Sequence, residues 1–172
     1  GEHILSGIIH RMFGYHNTGF HIGAELVTVD FDGPIDDAVL PELEKQANDI
    51  IWKNLPISCF YPSREELETL TYRTKRKLPW PVRIVDITDT DTCACCGVHT
   101  ASTGEVGLLK LFSCVKFRDG ARIEMACGER AFRLLSQIYD QNRLVSQAFS
   151  AKQLETGAAA DRMNAMLADE KF

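Results

Sequence analysis

The sequence predicts an α+β fold: a mostly antiparallel sheet with helices packed on it, followed by a C-terminal helical extension. Three observations predict it. Apolar residues recur at helical spacing in the opening segment and again between residues 41 and 53. Period-two alternation marks several short strands, two of them joined across Asp119-Gly120 as in a hairpin. From Arg130 onward the pattern is helical. Antiparallel strands mixed with helices are the signature of an α+β domain.

The elements follow in order. Ile4, Leu5, Ile8, Ile9, Met12 and Phe13 define a helix over residues 3–13, and Gly14 supplies its stop. Tyr15 to Gly23 is polar enough to read as a loop, and Glu25 to Asp32 alternates as a half-buried strand closed by Gly33-Pro34. Pro41 suits a first helical turn, and Leu40, Leu43, Ala47, Ile50 and Ile51 continue the stripe to about Lys53. Residues 57–61 are a short strand; Ser63 with Glu66 forms a capping-box pattern for a helix over Arg64 to Leu70. Val82 to Ile87 is a strand leading into a cysteine-rich loop. Strands at 107–117 and 121–127 form the hairpin, with Thr103 and Glu105 shaping the turn before it. After Ser150 the helical pattern carries few large apolar residues, so this stretch reads as a linker. The organisation expected is a domain over 1–128, truncated at its N-terminus, and a helical linker over 129–172 leading toward a C-terminal region not present here.

Composition excludes several classes. With 45% hydrophobic and 25% charged residues the chain has the balance of a soluble globular protein. No run approaches the roughly 18 apolar residues of a membrane span and no secretory segment opens the chain, so a cytoplasmic protein without membrane contact is expected. A net charge of −5 argues against a protein that merely coats nucleic acid, while leaving room for a local basic patch. Cys93, Cys95 and Cys96 crowd too closely for ordinary disulfide pairing with one another, which favours metal or thiol chemistry.

The strongest motif is Cys95-Cys-Gly-Val-His99, because thiolate and imidazole on one short glycine-containing turn are what zinc selects. Cys95 and His99 are the ligands expected, with Cys96 as an alternative thiolate. His3, near the start of the first helix, is a third candidate ligand. Asp91, four residues before Cys95, is suited to orient a ligating histidine as a carboxylate partner, or else to cap the loop. A Cys93-x-x-Cys96 spacing also admits a redox-active thiol protein, although no thioredoxin-like βαβ context accompanies it.

Glu2-His3-Ile-Leu-Ser-Gly7, Gly19-Phe-His-Ile-Gly23, Val29-Asp-Phe-Asp32, Ala47-Asn48, Cys95-Cys-Gly-Val-His99 and Thr103-Gly-Glu-Val-Gly107 occur in that order with compatible spacing. They resemble the editing domain shared by alanyl-tRNA synthetases and free-standing AlaX proteins, from Gly1 to about Gly128. The resemblance implies four zinc ligands from a His-x-x-x-His helix and a Cys-x-x-x-His loop. His3 would be the second histidine of the first motif, whose first histidine would lie ahead of Gly1. It also implies an aminoacyl-tRNA deacylase acting in trans on the ester of mischarged tRNA(Ala), chiefly Ser-tRNA(Ala) and sometimes Gly-tRNA(Ala). Thr18 and His21, which the resemblance places near the metal, are candidates to hydrogen-bond the serine hydroxyl.

For the tRNA partner, Tyr72-Arg73-Thr-Lys75-Arg76-Lys77-Leu-Pro-Trp80 sets four cations between two aromatics, a composition suited to phosphates and unpaired bases. Lys110, Lys116, Arg118 and Arg122 extend that patch. Further expectations are a homodimer formed through the absent C-terminal region, and, as other readings, the editing portion of an alanyl-tRNA synthetase or a non-catalytic zinc-stabilised RNA-binding module.

Overall fold

Six consecutive residues of the opening helix, Ile4 to Ile9, are buried, which is more than a full turn, so no face of that stretch reaches water. This helix, α1 (Glu2–Phe13), contributes Ile4, Leu5, Ile8 and Ile9 to the core, and it ends where Gly14 takes φ 75° and returns its N–H to His10 O. A computed structural model describes residues 1–75 and 78–169. It divides into two compact units, Gly1–Ala131 and Phe132–Phe172.

The first unit holds two antiparallel sheets. One has the strand order β1 (Asn17–Ile22), β2 (Val27–Phe31), β7 (Gly120–Cys127), β6 (Leu109–Phe117). The other has β3 (Ile57–Phe60), β4 (Ile84–Ile87) and β5 (Asp91–Ala94). Helices α2 (Leu40–Trp52) and α3 (Arg64–Thr69) complete it, the latter with the capping box Ser63–Glu66 formed in both directions. Val29 and Phe31 of β2, Ile123 and Met125 of β7, and Leu109 and Leu111 of β6 face one core with Ile4, Leu5, Ile8 and Ile9 of α1 and Leu43, Ala47 and Ile51 of α2. The opposite face of this sheet is polar: Arg122 forks onto Asp30 at 2.6 and 2.9 Å, and Ser113 donates to Glu124.

Two segments expected as loops are strands. The stretch 15–23 has too little apolar alternation to declare itself, yet Asn17–Ile22 finds its hydrogen-bond partners in β2, with a bulge between Asn17 and Gly19. Likewise Asp91–Ala94, read as part of the cysteine-rich loop, pairs with β4. In both cases backbone partners distant in sequence override weak local preference.

One buried amide joins helix to sheet. Asn48 of α2 donates to Leu109 O at 2.8 Å and Glu44 O at 2.9 Å and accepts from Leu109 N at 2.9 Å. Asn48→Ala strips the fully buried Leu109 of both partners, and leaving buried backbone groups unsatisfied costs about 1–3 kcal/mol each. The expected result is a loss of about 2–4 kcal/mol, read from the urea midpoint at unchanged slope. Thr103 acts similarly nearby: its hydroxyl donates to Ile50 O and accepts from Leu55 N, tying the 3-10 turn Thr103–Val106 to the end of α2.

In the second unit the segment after Ser150, expected as part of a helical linker, forms the helix α5 (Thr156–Asp169). It follows α4 (Gly128–Ala148), and side chains rather than apolar area make the turn. Asn142 donates to Gln153 O and accepts from Thr156, Ser146 donates to Ala151 O, and Ala159 is buried. No described helix is long and apolar enough to cross a membrane.

Candidate metal centre

Because α1 is buried from Ile4 to Ile9, its first turn is held in place, and His3 projects from that turn toward the second sheet. There Asp91, at the start of β5, lies 2.9 Å from His3 Nδ1 through Oδ2. Arg73 forks onto the same carboxylate at 2.6 and 2.7 Å. Its own backbone is pinned beside β5, N–H to Thr92 O and C=O from Ala94 N. Burial alone would raise the Asp91 carboxyl; the bonds from His3 and Arg73 outweigh it and hold the group below the usual carboxylate range.

The close approach of α1 and β5 depends on Gly7. A Cβ there would sit 2.8 Å from Asp91 Cβ and would also collide with Thr90 O, a backbone atom. Gly7→Ala is therefore expected to push α1 off β5 and destabilise the protein by about 1–3 kcal/mol despite alanine's better helix propensity. Thermal unfolding checks this; an unchanged or raised Tm contradicts it.

On the other side of His3, the loop after β5 returns Cys95 and His99. The ligand atoms of His3, Cys95 and His99 all lie within 4.8 Å of one another. The Nε2 atoms of His3 and His99 are 3.2 Å apart. Two imidazoles bound to one tetrahedral ion at about 2.0–2.1 Å place their nitrogens about 3.3 Å apart, so the donor set fits a single divalent cation. Asp91 completes the arrangement, because a carboxylate that takes Nδ1–H leaves Nε2 as the free donor. His3, Asp91 and Cys93 form a second cluster. Its carboxylate is already engaged by Arg73 and His3, which makes it the poorer seat.

Electrostatics match the donor set. The Cys95 thiol is lowered, first by its hydrogen bond with His3 and further by Gly97 N–H, against the effect of burial. His99 is lowered by burial and by the charges of His3 and Arg83, which favours neutral imidazole. Burial opposes charge on His3, yet bonds to Asp91, Cys93 and Cys95 push it up to about 11. Arg83 keeps the loop in place by donating to Cys95 O at 2.8 Å and Gly97 O at 3.0 Å, and it stands 3.4 Å from His99 Nδ1. No spacing rule points to Arg83; only the folded loop reveals it.

Of the residues singled out in the sequence, the structure brings together His3, Asp91, Cys95 and His99. Cys96 is exposed and lies outside both clusters. Thr18 is the extra residue of the β1 bulge and is exposed. His21 pairs with Thr28, on the polar face of the sheet with Asp30, and points away from the metal cluster. Its neighbours Phe20 and Ile22 line the cavity beside the cluster instead, and His21 does not. Arg73, expected on phosphate, has its guanidinium committed to Asp91, with a side chain only 10% exposed. Lys75 stands 5.8 Å from the Phe20 ring centroid, and Trp80 is exposed with Arg64 over its ring. Arg76 and Lys77 lie outside the described residues. Lys110 and Arg122, expected to extend the basic patch, are paired with Glu44 and Asp30, while Arg118 lies over Phe117.

A cavity of about 550 Å³ opens beside the three donors. Ile4, Ile57, Ile87 and Val106 line its walls, Phe20 and Ile22 stand at one side, and Glu2 and Lys75 bring a carboxylate and an ammonium to it.

Residues 82–124 match the second additional domain of threonyl and alanyl tRNA synthetases. The alanyl-tRNA editing protein AlaX-L of Pyrococcus horikoshii is 30% identical over 141 residues, 80% of this chain and 35% of that protein. Alanyl-tRNA editing protein Aarsd1-B of Xenopus laevis is 25% identical over 169 residues, 95% of this chain and 41% of that protein. An alanine–tRNA ligase of Pyrococcus furiosus is 32% identical over 142 residues, 77% of this chain and 16% of the ligase. The chain spans only about two fifths or less of the length of these relatives. Its α+β fold, its matched domain and these relatives make the chain similar both to the alanyl-tRNA editing proteins and to the corresponding part of the alanine–tRNA ligases.

Proposed function

We propose that this chain deacylates mischarged tRNA(Ala) in trans in the cytoplasm, hydrolysing the ester of Ser-tRNA(Ala) chiefly and that of Gly-tRNA(Ala) as well, with zinc as its metal. The observation that carries this reading is the convergence of His3, Cys95 and His99 beside an apolar cavity. One thiolate and two imidazoles are a donor set that favours zinc. When bound, zinc supplies a polarised carbonyl and a water acidic enough to act near neutral pH. A purely structural zinc site needs no adjoining cavity, whereas hydrolysis does.

The chain's own residues do the positioning. Asp91 takes the Nδ1 proton of His3 and aims Nε2 at the centre, while Arg73 holds Asp91. Arg83 pins the loop that carries Cys95 and His99. Glu2, the one carboxylate among the described residues lining the cavity, has Oε1 bonded to Ser6 and Oε2 3.8 Å from His3 Nε2. That places a negative charge where the ammonium of an aminoacyl ester needs one. The biological need is physical too: an apolar synthesis pocket rejects an isostere bearing one added hydroxyl by only about 10²-fold, so a second, hydrolytic site is required.

Deacylation of seryl-, glycyl- and alanyl-tRNA(Ala), with and without chelator, tests the proposal. Hydrolysis of the seryl ester above the alanyl ester, abolished by chelation and restored by zinc, is expected. Equal hydrolysis of all three, or of none, defeats it.

A further inference from the structure

Telling a seryl from an alanyl ester needs a group that answers to one hydroxyl, and the two side chains expected for it, Thr18 and His21, do not line the cavity. Thr100 does. It follows His99 on the loop of the donor cluster, is half-buried, and carries the one neutral hydroxyl or amide side chain among the described residues lining the cavity. Its hydroxyl donates to Ser102 O at 3.0 Å. A carbonyl oxygen only accepts, so the hydroxyl proton is committed there, and what Thr100 Oγ1 has left to offer is its lone pairs. The carbonyl that fixes this orientation is itself held. Ile57 N–H donates to Ala101 O at 2.9 Å, Thr103 N–H donates to Leu55 O at 2.8 Å, and Ser102 N–H donates to Glu105 Oε1 at 3.1 Å.

We propose that Thr100 is the residue that reads the seryl hydroxyl, accepting a hydrogen bond from it at Oγ1, and that it thereby sets the preference for the seryl ester over the alanyl and glycyl esters. A fixed acceptor among the apolar side chains of Ile57, Ile87 and Val106 rewards a ligand that brings an O–H donor and gives nothing to a methyl group or a hydrogen atom. The role is separate from that of Glu2, whose charge meets an ammonium common to all three esters. The inference rests on the deacylase reading for its substrate class.

Binding without hydrolysis tests it apart from catalysis. The full chain, in buffer containing zinc, is titrated with an acceptor-stem RNA whose 3′-terminal ribose carries a seryl, alanyl or glycyl group in a non-hydrolysable amide linkage. The wild type is expected to bind the seryl RNA about tenfold more tightly than the alanyl one, the worth of one net hydrogen bond. Thr100→Val keeps the shape and removes the acceptor; it should erase this preference while leaving affinity for the alanyl and glycyl RNAs unchanged. Thr100→Ser should keep the preference. A merely structural role would lower all three affinities together. Equal wild-type affinity for the seryl and alanyl RNAs, a preference retained in Thr100→Val or lost in Thr100→Ser, or a uniform loss in Thr100→Val overturns the assignment. Hydrolysis of seryl-tRNA(Ala) by the same wild-type preparation would leave the deacylase reading standing in each of those cases, whereas a seryl preference in binding without hydrolysis of any ester overturns only the deacylase reading.

Discussion

Replacing His99 with alanine is expected to reduce bound zinc to well below one ion per chain and to lower kcat/KM for seryl-tRNA(Ala) about a thousandfold. Removing one of the three donors opens the site to water on the side where Arg83 now pins the loop. A metal contributes several kcal/mol to stabilising the transition state, and each 1.4 kcal/mol is a factor of ten, which sets the size of the loss. Cys95→Ser should behave like His99→Ala. Cys96→Ser should retain both metal and activity, because its side chain is exposed and belongs to neither cluster. Metal analysis of purified variants, alongside single-turnover deacylation, separates the cases. Full zinc content in Cys95→Ser with loss in Cys96→Ser would reverse the ligand assignment.

The second large effect is expected at Asp91. Its side chain is 2% exposed and joins Arg73 to His3. Asp91→Ala leaves the Arg73 guanidinium buried without its counter-charge, and breaking a buried pair in this way costs about 3–5 kcal/mol. It also frees His3 to turn, and losing such a carboxylate partner lowers metal affinity about 10–100-fold. Urea denaturation and a zinc competition titration report the two losses independently. Asp91→Asn should spare more metal affinity than stability, since an amide oxygen still accepts from His3 Nδ1 but offers Arg73 no charge. Arg73→Met should divide the effects in the same sense, leaving the His3–Asp91 bond in place. A stability loss under about 1 kcal/mol in Asp91→Ala would mean that Arg73 finds water or another acceptor, and that the triad holds less of the fold than its burial implies.

These two predictions differ in how far the sequence anticipated them. Cys95 and His99 lie four residues apart on one turn, so their partnership is a local fact that spacing exposes. His3 is 96 residues from His99 and required the family resemblance to be linked to it. Asp91 suggests itself as a carboxylate partner, whereas Arg73, expected on phosphate, turns its guanidinium to Asp91. A run of cations around position 75 looks like a solvated basic loop, and nothing in it distinguishes the one member whose backbone docks on β5. The loop after α1 shows the same limit in another form. Thr18 and His21 offered polar groups, but strand pairing places Phe20 and Ile22 at the cavity and turns His21 to the outer face. Alternation makes such an assignment all or nothing: a strand unrecognised as a strand has no assigned face.

Strong periodicity makes the buried helix α1, the helix α2 and the β6–β7 hairpin readable from residue order, and the thiolate–imidazole turn is readable with them. Each is legible because its cause lies within a few residues, in apolar spacing, a cap or a short ligand motif. Only in the folded chain do β1 and β5 become strands, Arg73 support Asp91, Arg83 steady the loop of Cys95 and His99, and the residues that wall the cavity come together. Their partners are tens of residues away, and the hydrogen bonds and desolvation that place them exist only once the two sheets close around α1.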